Sequence, residues 1–177
     1  MTEGKNSITL KGCILHIFRN ERTGTVVATI GTGDNNRPNV TLLKGLAEYF
    51  MGEYKVGDMI MIEGNVQSSK ANGRFRASII VDRIVPLWHS PRRYENEFEV
   101  FGTVKSIVKL GDIHKINVNV VSNGFASCVP VTFNYNDYRL NAETGEAIRV
   151  SGVVCTSSRT VGDRTLYYQN YVANGIL

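Results

Sequence analysis

The sequence predicts an all-β protein, mainly β with one short helix, in which a small five-stranded unit occurs twice. Three observations lead to this prediction. Runs of β-branched and aromatic residues recur between glycine-containing turns, which is typical of short strands. A single segment has the apolar spacing of an amphipathic helix. The glycines of the first half also reappear about ninety positions later, as Gly12 and Gly64 do at Gly102 and Gly152.

In the first half, the residue pattern predicts five strands with a helix between the third and the fourth. The first strand contains Gly12, and an isolated glycine inside a strand indicates a bulge or a sharp bend. Turn-like or polar stretches at 20–24 and 31–37 delimit the second strand. The helix follows from apolar residues at i, i+3, i+4, i+7, i+8 and i+11 from Leu43 to Tyr54. The predicted strands are residues 7–19, 25–31, 39–43, 59–67 and 74–85, with a polar hairpin loop at 68–73.

The second half repeats this order after a short connector with a proline near each end, which is typical of a stiff link. Residues 98–108, 114–121 and 128–133 match the first three strands, with residues 40–43 aligned on residues 130–133. The segment 135–144 lacks the helical spacing, so the second copy has a reduced helix. We predict domains at 1–87 and 96–177, joined by a connector at 88–95.

Five strands, a helix after the third and a bent first strand are the order of the OB-fold. That fold is a partly open barrel that binds oligonucleotides or oligosaccharides. We therefore predict two tandem five-stranded OB-fold barrels. Strand order alone does not identify the ligand, because one fold hosts many functions.

The clearest motif lies in residues 37–64 and reads RPNVTLLKGLAEYF and then YKVGDMIMIEG. It resembles the strand 3–helix–strand 4 signature of bacterial-type single-stranded DNA-binding proteins, in which an LAE helix leads to a KKGD turn and an EG. Phe75 matches the aromatic near the start of the family's last strand. The resemblance covers nearly all of residues 7–87, and over 96–177 it rests mainly on the internal repeat. Some members of that family have two such folds in one chain, and a dimer of them presents the four folds that other members assemble as a tetramer.

Three departures from the family pattern refine this expectation. The place of the stacking aromatic on strand three is Leu43 in the first copy and Phe133 in the second. The loop 68–73 has no aromatic residue. The sequence also ends without the glycine-rich linker and acidic tip that recruit partners, which favours a phage-type or mobile-element-type member or a specialised paralogue.

The basic residues of the first half are the candidates for phosphate contacts. Residues 1–88 carry eleven basic and eight acidic side chains, a net charge of +3, whereas residues 89–177 carry +1. A basic groove attracts a phosphate backbone, although each residue alone also fits a solvated surface. The candidates are Lys11, Arg19, Arg22, Arg37, Lys44, Lys70, Arg74 and Arg76.

Aromatic faces are the second requirement for holding a single strand, because bases stack on them. The candidates are Phe75, Phe133, Tyr135 and Trp88, with Arg92 and Arg93 bridging the two grooves. Each has an alternative role. Phe75 and Phe133 also fit core packing, Tyr135 a subunit contact, and Trp88 a contact between domains.

No catalytic constellation is present, since the sequence lacks a metalloprotease helix motif, a nucleophile elbow and a P-loop. The three cysteines are odd in number and far apart, which argues against a disulfide framework and a zinc site. No apolar stretch approaches the roughly 18 residues of a membrane span. We expect a soluble, cytoplasmic protein that is not an enzyme, with no cofactor, no metal, no membrane partner and no small-molecule substrate.

The expected function is sequence-independent binding and protection of single-stranded DNA during replication, recombination or processing of phage or mobile-element DNA. Stacking and phosphate capture do not separate DNA from RNA. We expect a homodimer, because barrels of this kind have edge strands available for pairing. Two alternatives stay open, namely a primosome-type accessory protein that binds DNA and a helicase, and a protein-interaction or assembly module whose groove has degenerated. The net charge of −1 over residues 94–177 favours the latter.

Overall fold

The computed structural model describes residues 3–88, 93–134 and 141–177. The described part of the chain is mainly β, and its ten strands belong to one hydrogen-bonded sheet. No helix in these ranges has the length and apolar character needed to cross a membrane. The elements are β1 (Lys5–Arg19), β2 (Val26–Gly31), β3 (Asn39–Leu42), α1 (Lys44–Glu53), β4 (Met59–Ala71), β5 (Arg74–Pro86), β6 (Glu95–Leu110), β7 (Ile113–Ser122), β8 (Phe125–Asn134), β9 (Ala147–Val161) and β10 (Arg164–Ile176).

The first five strands form a closed barrel that is consistent with the OB-fold. The pairing runs β1–β2–β3–β5–β4 and returns from β4 to β1. The strands place alternate apolar side chains inside, and α1 adds Ala47 and Phe50 to the same core. The predicted order of three strands, a helix and two strands is confirmed for this half, which we call the N-terminal half.

Strands β6 to β10, which we call the C-terminal half, pair in the corresponding order. The pairing runs β6–β7–β8–β10–β9 and returns from β9 to β6. Of the segment predicted to have a reduced helix, residues 141–144 are described and are not helical. Residues 135–140 lie outside the described residues.

The two halves join through their first strands. β1 and β6 are antiparallel, with Ile8 opposite Phe98 and Lys11 opposite Glu95. Ile8 and Phe98 are also ninety positions apart, so equivalent residues of the repeat face each other at the centre of this seam. The seam therefore has an approximate twofold symmetry, as in an interface between two copies of one subunit.

The loop predicted at 68–73 is wrong in extent. β4 continues to Ala71, and only Asn72 and Gly73 form the turn, both with positive φ (51° and 74°). An Asn-Gly pair at positive φ is the preferred two-residue hairpin turn. Ser69 and Lys70 are exposed on the part of β4 that projects from the barrel, and Ser68 is half-buried there. The polarity of these residues therefore does not indicate a loop.

Each long hairpin leaves its own ring and contacts the other half. Ser68, on β4, donates its hydroxyl to the carbonyl of Cys128 on β8. On the other side, Thr156 on β9 accepts from the backbone N–H of Arg37 at 2.8 Å. The two contacts satisfy backbone groups near the third strand of the opposite half, in agreement with the twofold relation at the seam.

Candidate nucleic-acid interface

The tip of the β4–β5 hairpin brings together four of the predicted site residues. Phe75 lies directly opposite Lys70 in the ladder, and the Lys70 Nζ lies 5.9 Å from the centre of the Phe75 ring. Phe75 is 73% exposed, although its position in the strand alternation continues the face that carries buried Ile79. Arg74 and Arg76 are exposed on the opposite face of the same strand. The hairpin thus offers an open ring with cations on both sides.

Two other predicted phosphate contacts are engaged in ion pairs. Lys11 Nζ lies 2.8 Å from a carboxylate oxygen of Glu95, across the seam between the halves. Arg19 donates from Nη2 to Glu48 on α1 at 2.8 Å. Because each of these cations already faces a carboxylate, each is a weaker candidate for a phosphate than the hairpin residues.

Arg22, Arg37 and Lys44 are exposed at three separate places in the N-terminal half. Arg22 lies in the turn between β1 and β2, Arg37 in the loop between β2 and β3, and Lys44 at the first position of α1. No carboxylate of the described residues forms an ion pair with any of the three. The structure therefore does not gather all the predicted basic residues into one cluster.

The loop that carries Arg37 is held in place largely by the C-terminal half. The Arg37 N–H donates to Thr156, and the Thr156 N–H donates to the Asn36 side chain at 2.8 Å. Gln169, on β10, accepts from the Asn39 N–H at 2.8 Å and donates to the Asn39 carbonyl at 3.3 Å. Gln169 thus pairs with the edge of β3 as a neighbouring strand would.

Asp34 completes the ordering of this loop. Its carboxylate accepts from the Thr32 hydroxyl at 2.6 Å, from the Asn36 N–H at 3.1 Å and from the Asn96 side chain at 3.0 Å. Burial raises the pKa of Asp34, but these hydrogen bonds outweigh it and leave the pKa below its usual value of 3.8. The loop is therefore built around an ionised carboxylate at neutral pH.

The connector contributes two described candidates. Trp88 is 86% exposed, and Arg93 is exposed too. Arg92 and Tyr135 lie outside the described residues. A nucleic-acid contact by any of these four stays a prediction.

Phe133 does not stack on a base in this fold, because its ring is fully buried in the core at 0% exposure. The alignment of residues 40–43 on residues 130–133, from which this role was predicted, is displaced by one residue. Ile80 pairs with Thr41, and Val172 pairs with Thr132, so Phe133 corresponds to buried Leu42 rather than to exposed Leu43. Since side chains alternate across a strand, a slip of one residue moves a side chain to the opposite face.

Tyr167 is the exposed aromatic that the sequence analysis missed. Arg159 pairs with Leu166 as Ala71 pairs with Arg74, so Tyr167 follows on β10 at the position that Phe75 has on β5. The Tyr167 side chain is 78% exposed, close to the 73% of Phe75. The β9–β10 hairpin extends two residues further on each strand than the β4–β5 hairpin. Aligning the two hairpins on their turn glycines, Gly73 and Gly162, therefore does not bring Tyr167 opposite Phe75. Counting alternate positions outward from Tyr171 leads to Tyr167 once the structure has shown that Tyr171 is buried.

No group of three or more His, Cys, Asp or Glu side chains is arranged to hold a metal ion within the described ranges. The candidate site described above consists of exposed rings and cations, which suit an extended anionic partner with aromatic groups.

No family model matches the sequence, and no curated protein matches it significantly. Solved structures do resemble the fold. The wild-type single-stranded DNA-binding protein of Thermus aquaticus aligns with a TM-score of 0.69 and 13% identity, over 99% of this chain and 93% of that chain. A deletion variant of the same protein aligns with a TM-score of 0.68 and 14% identity, over 100% and 95%. This likeness extends over nearly the whole of both chains, and at such low identity it shows the fold.

Proposed function

We propose that this protein binds single-stranded nucleic acid, in the first place single-stranded DNA, without sequence specificity. The observation that carries the proposal is the β4–β5 hairpin, where an exposed Phe75 ring stands among Lys70, Arg74 and Arg76. A base stacked on an aromatic ring contributes about 1–3 kcal/mol, and nearby cations attract the phosphates. The fold shared with a single-stranded DNA-binding protein supports the same ligand.

The proposal is tested by fluorescence anisotropy with a labelled oligo-dT of about 35 nucleotides, long enough for two folds at about 4–16 nucleotides each. A duplex of equal length serves as the comparison ligand. We expect tight binding of the single strand only, and weaker binding as salt rises. Phe75→Ala should weaken the binding about five-fold or more, the equivalent of 1 kcal/mol of stacking. The double change Arg74→Glu/Arg76→Glu should also lower the salt slope, by about 0.7 for each phosphate that the protein no longer neutralises.

Two matched variants control for composition and charge. Tyr49→Ala removes a half-exposed ring from α1, and Arg83→Glu makes one arginine-to-glutamate change on the same strand β5, half the charge change of the double variant, at a residue paired with Glu63. Both should leave the affinity within about two-fold. If the wild type binds no oligo-dT at low salt, the proposal is wrong.

A protein-interaction or assembly module is the second candidate function. The ion pairs of Lys11 and Arg19 and the burial of Phe133 favour it, because they take three side chains away from the expected groove. If the wild-type protein binds neither the single strand nor the duplex, we would assign this second function instead.

Several finer statements belong to the same proposal. We propose that the second ring of strands is a second OB-fold, with units at 1–87 and 96–177 and a connector at 88–95. We propose that the protein acts in the cytoplasm, in replication, recombination or mobile-element DNA processing. We also propose that it needs no cofactor. Quenching of the fluorescence of Trp88, the one tryptophan of the chain, would report whether the connector also contacts the strand. A poly-U competitor would measure the preference of DNA over RNA.

A further inference from the structure

We infer that Arg37 and Tyr167, which come from different halves of the chain, form one composite nucleotide site. Tyr167 would stack on a base and Arg37 would contact a neighbouring phosphate. This inference rests on the proposed function, and it adds a second binding position distinct from the Phe75 hairpin.

The first step is the direction of the Tyr167 side chain. Tyr171, Gln169 and Tyr167 are at alternate positions of β10, and the pairing with β9 is regular from Arg164 to Ala173. These three side chains therefore share one face of the strand. Tyr171 is buried against Phe98, Gln169 reaches the backbone of Asn39, and Tyr167 lies one step further out toward solvent.

The second step is the position of Arg37. Thr156 and Gln169 are directly opposite each other on β9 and β10, and they contact Arg37 and Asn39 respectively. Tyr167 precedes Gln169 by two residues, which is about 7 Å along a strand. The backbone of Arg37 is thus anchored close to the strand segment that presents the exposed ring.

The third step is chemical. Arg37 is exposed and forms no ion pair with a described carboxylate, and its loop is held by a hydrogen bond to Thr156 and by hydrogen bonds from Asn96 and Gln169. A cation on an ordered loop beside an open aromatic ring matches the alternating phosphates and bases of a single strand. Gln169 contacts neither ligand group in this scheme and is a positioning residue.

The chain offers a close control for the stacking role. Tyr168 is the neighbour of Tyr167, is 45% exposed, and points to the opposite face of β10. A change from tyrosine to alanine at either position removes the same atoms from the same hairpin, so only the face differs.

The test compares Tyr167→Ala with Tyr168→Ala in oligo-dT anisotropy. We expect Tyr167→Ala to weaken binding about five-fold or more and Tyr168→Ala to stay within about two-fold. Ultraviolet cross-linking of oligo-dT followed by peptide mapping, which needs no variant, should label the peptide that contains Tyr167. If oligo-dT binds wild type but the two variants behave alike and the label is elsewhere, this inference is overturned and the proposed function stands. If wild type does not bind, both fail.

The positioning role has its own readout. Arg37→Ala should lower the salt slope by about 0.7, the value for one phosphate on a single strand. Gln169→Leu should lower the slope by a similar amount, and the effect of combining it with Arg37→Ala should be less than additive. A purely structural Gln169 would lower the melting temperature of the variant and leave its salt slope at the wild-type value, which would contradict the assignment.

Discussion

Four repeated glycines show at the scale of single residues why the two halves share a pattern. A Cβ on Gly12 would lie 2.1 Å from the carbonyl oxygen of Gly31, and one on Gly102 would lie 2.3 Å from that of Asn119. Gly64 and Gly152 meet the carbonyls of Ile80 and Val172 at 2.3 and 2.1 Å. Two strands approach too closely at each place for any side chain, so glycine is required by contact rather than by backbone conformation.

Substitution of these glycines should destabilise the protein, unlike substitution of an unobstructed glycine. We expect Gly12→Ala to lower the free energy of unfolding by about 2–3 kcal/mol, because the carbonyl of Gly31 must move. Gly45 in α1 has nothing within 4 Å of an added Cβ. Gly45→Ala should raise the free energy of unfolding by about 0.5–1 kcal/mol. Urea denaturation of the two variants measures both, and an equal effect on each would contradict the steric explanation.

Two asparagines show the same equivalence in hydrogen bonding. Asn6 bonds both backbone groups of Val66, and Asn96 bonds both backbone groups of Val154. Each has a further contact in the opposite half, Asn6 with Ser127 and Asn96 with Asp34. A buried backbone pair that lacks a strand neighbour needs such a partner, and the asparagine also connects the two halves.

At the scale of elements, the seam between β1 and β6 depends on charge as well as on backbone pairing. Glu99 on β6 accepts from Lys5 on β1 and from Arg149 on β9, the latter at 2.7 Å. The bond from Lys5 holds the pKa of Glu99 below its usual value of 4.5, against burial, and Arg149 adds to this lowering. One carboxylate therefore ties three strands together.

Glu99 should make stability depend on pH in the acid range. Its pKa is lower in the folded protein than the 4.5 of the unfolded chain. Its contribution is therefore complete above about pH 4.5 and is lost as the pH falls through the folded value. Glu99→Gln should cost about 1 kcal/mol or less at pH 7. This difference from wild type should shrink toward pH 3 in urea titrations.

Glu97 provides the control, because it is exposed on the same face of β6 and no ion pair is found for it among the described residues. Glu97→Gln should change stability less than Glu99→Gln at pH 7. A gap between wild type and Glu99→Gln that stays constant from pH 7 to pH 3 would show that the ion pairs contribute nothing.

At the scale of the whole molecule, the two halves are joined by strand pairing and by hydrogen bonds among the described residues. β1 and β6 join the halves into a continuous sheet, and each projecting hairpin contacts the third-strand region of the other half. One edge of β1 is therefore already paired with β6 of the same chain. The tips of the β4–β5 and β9–β10 hairpins have ladder partners on one side only among the described strands.

Self-association is the prediction that belongs to this scale. Unpaired strand edges favour pairing with a second copy, and we propose a homodimer. Size-exclusion chromatography with light scattering should give about twice the 19.6 kDa of the chain. A mass of 19.6 kDa across the concentrations used for DNA binding would contradict the dimer.

The periodic pattern of the sequence was enough for the order of the strands and for the helix of the N-terminal half, although not for the full length of β4. Alternation, turn residues and the helical spacing are local properties, and each is set by neighbours in the chain. Phe75 and its cations could also be placed on one hairpin, because that needs only the turn at Asn72 and Gly73. The ion pairs Lys11–Glu95 and Arg19–Glu48 could not be predicted in this way, since the two members of each pair are distant in sequence.

The mainly β class, the internal repeat and the exposed hairpin around Phe75 could therefore be read from the sequence alone. Only the folded chain revealed that Phe133 is buried, that Tyr167 takes the place of Phe75 in the second hairpin, and that Arg37 is held by Thr156 while Gln169 holds Asn39. These features depend on strand register and hairpin docking, which are set by contacts between distant segments. A shift of one residue in register reverses every side chain, while the local pattern of the sequence stays the same.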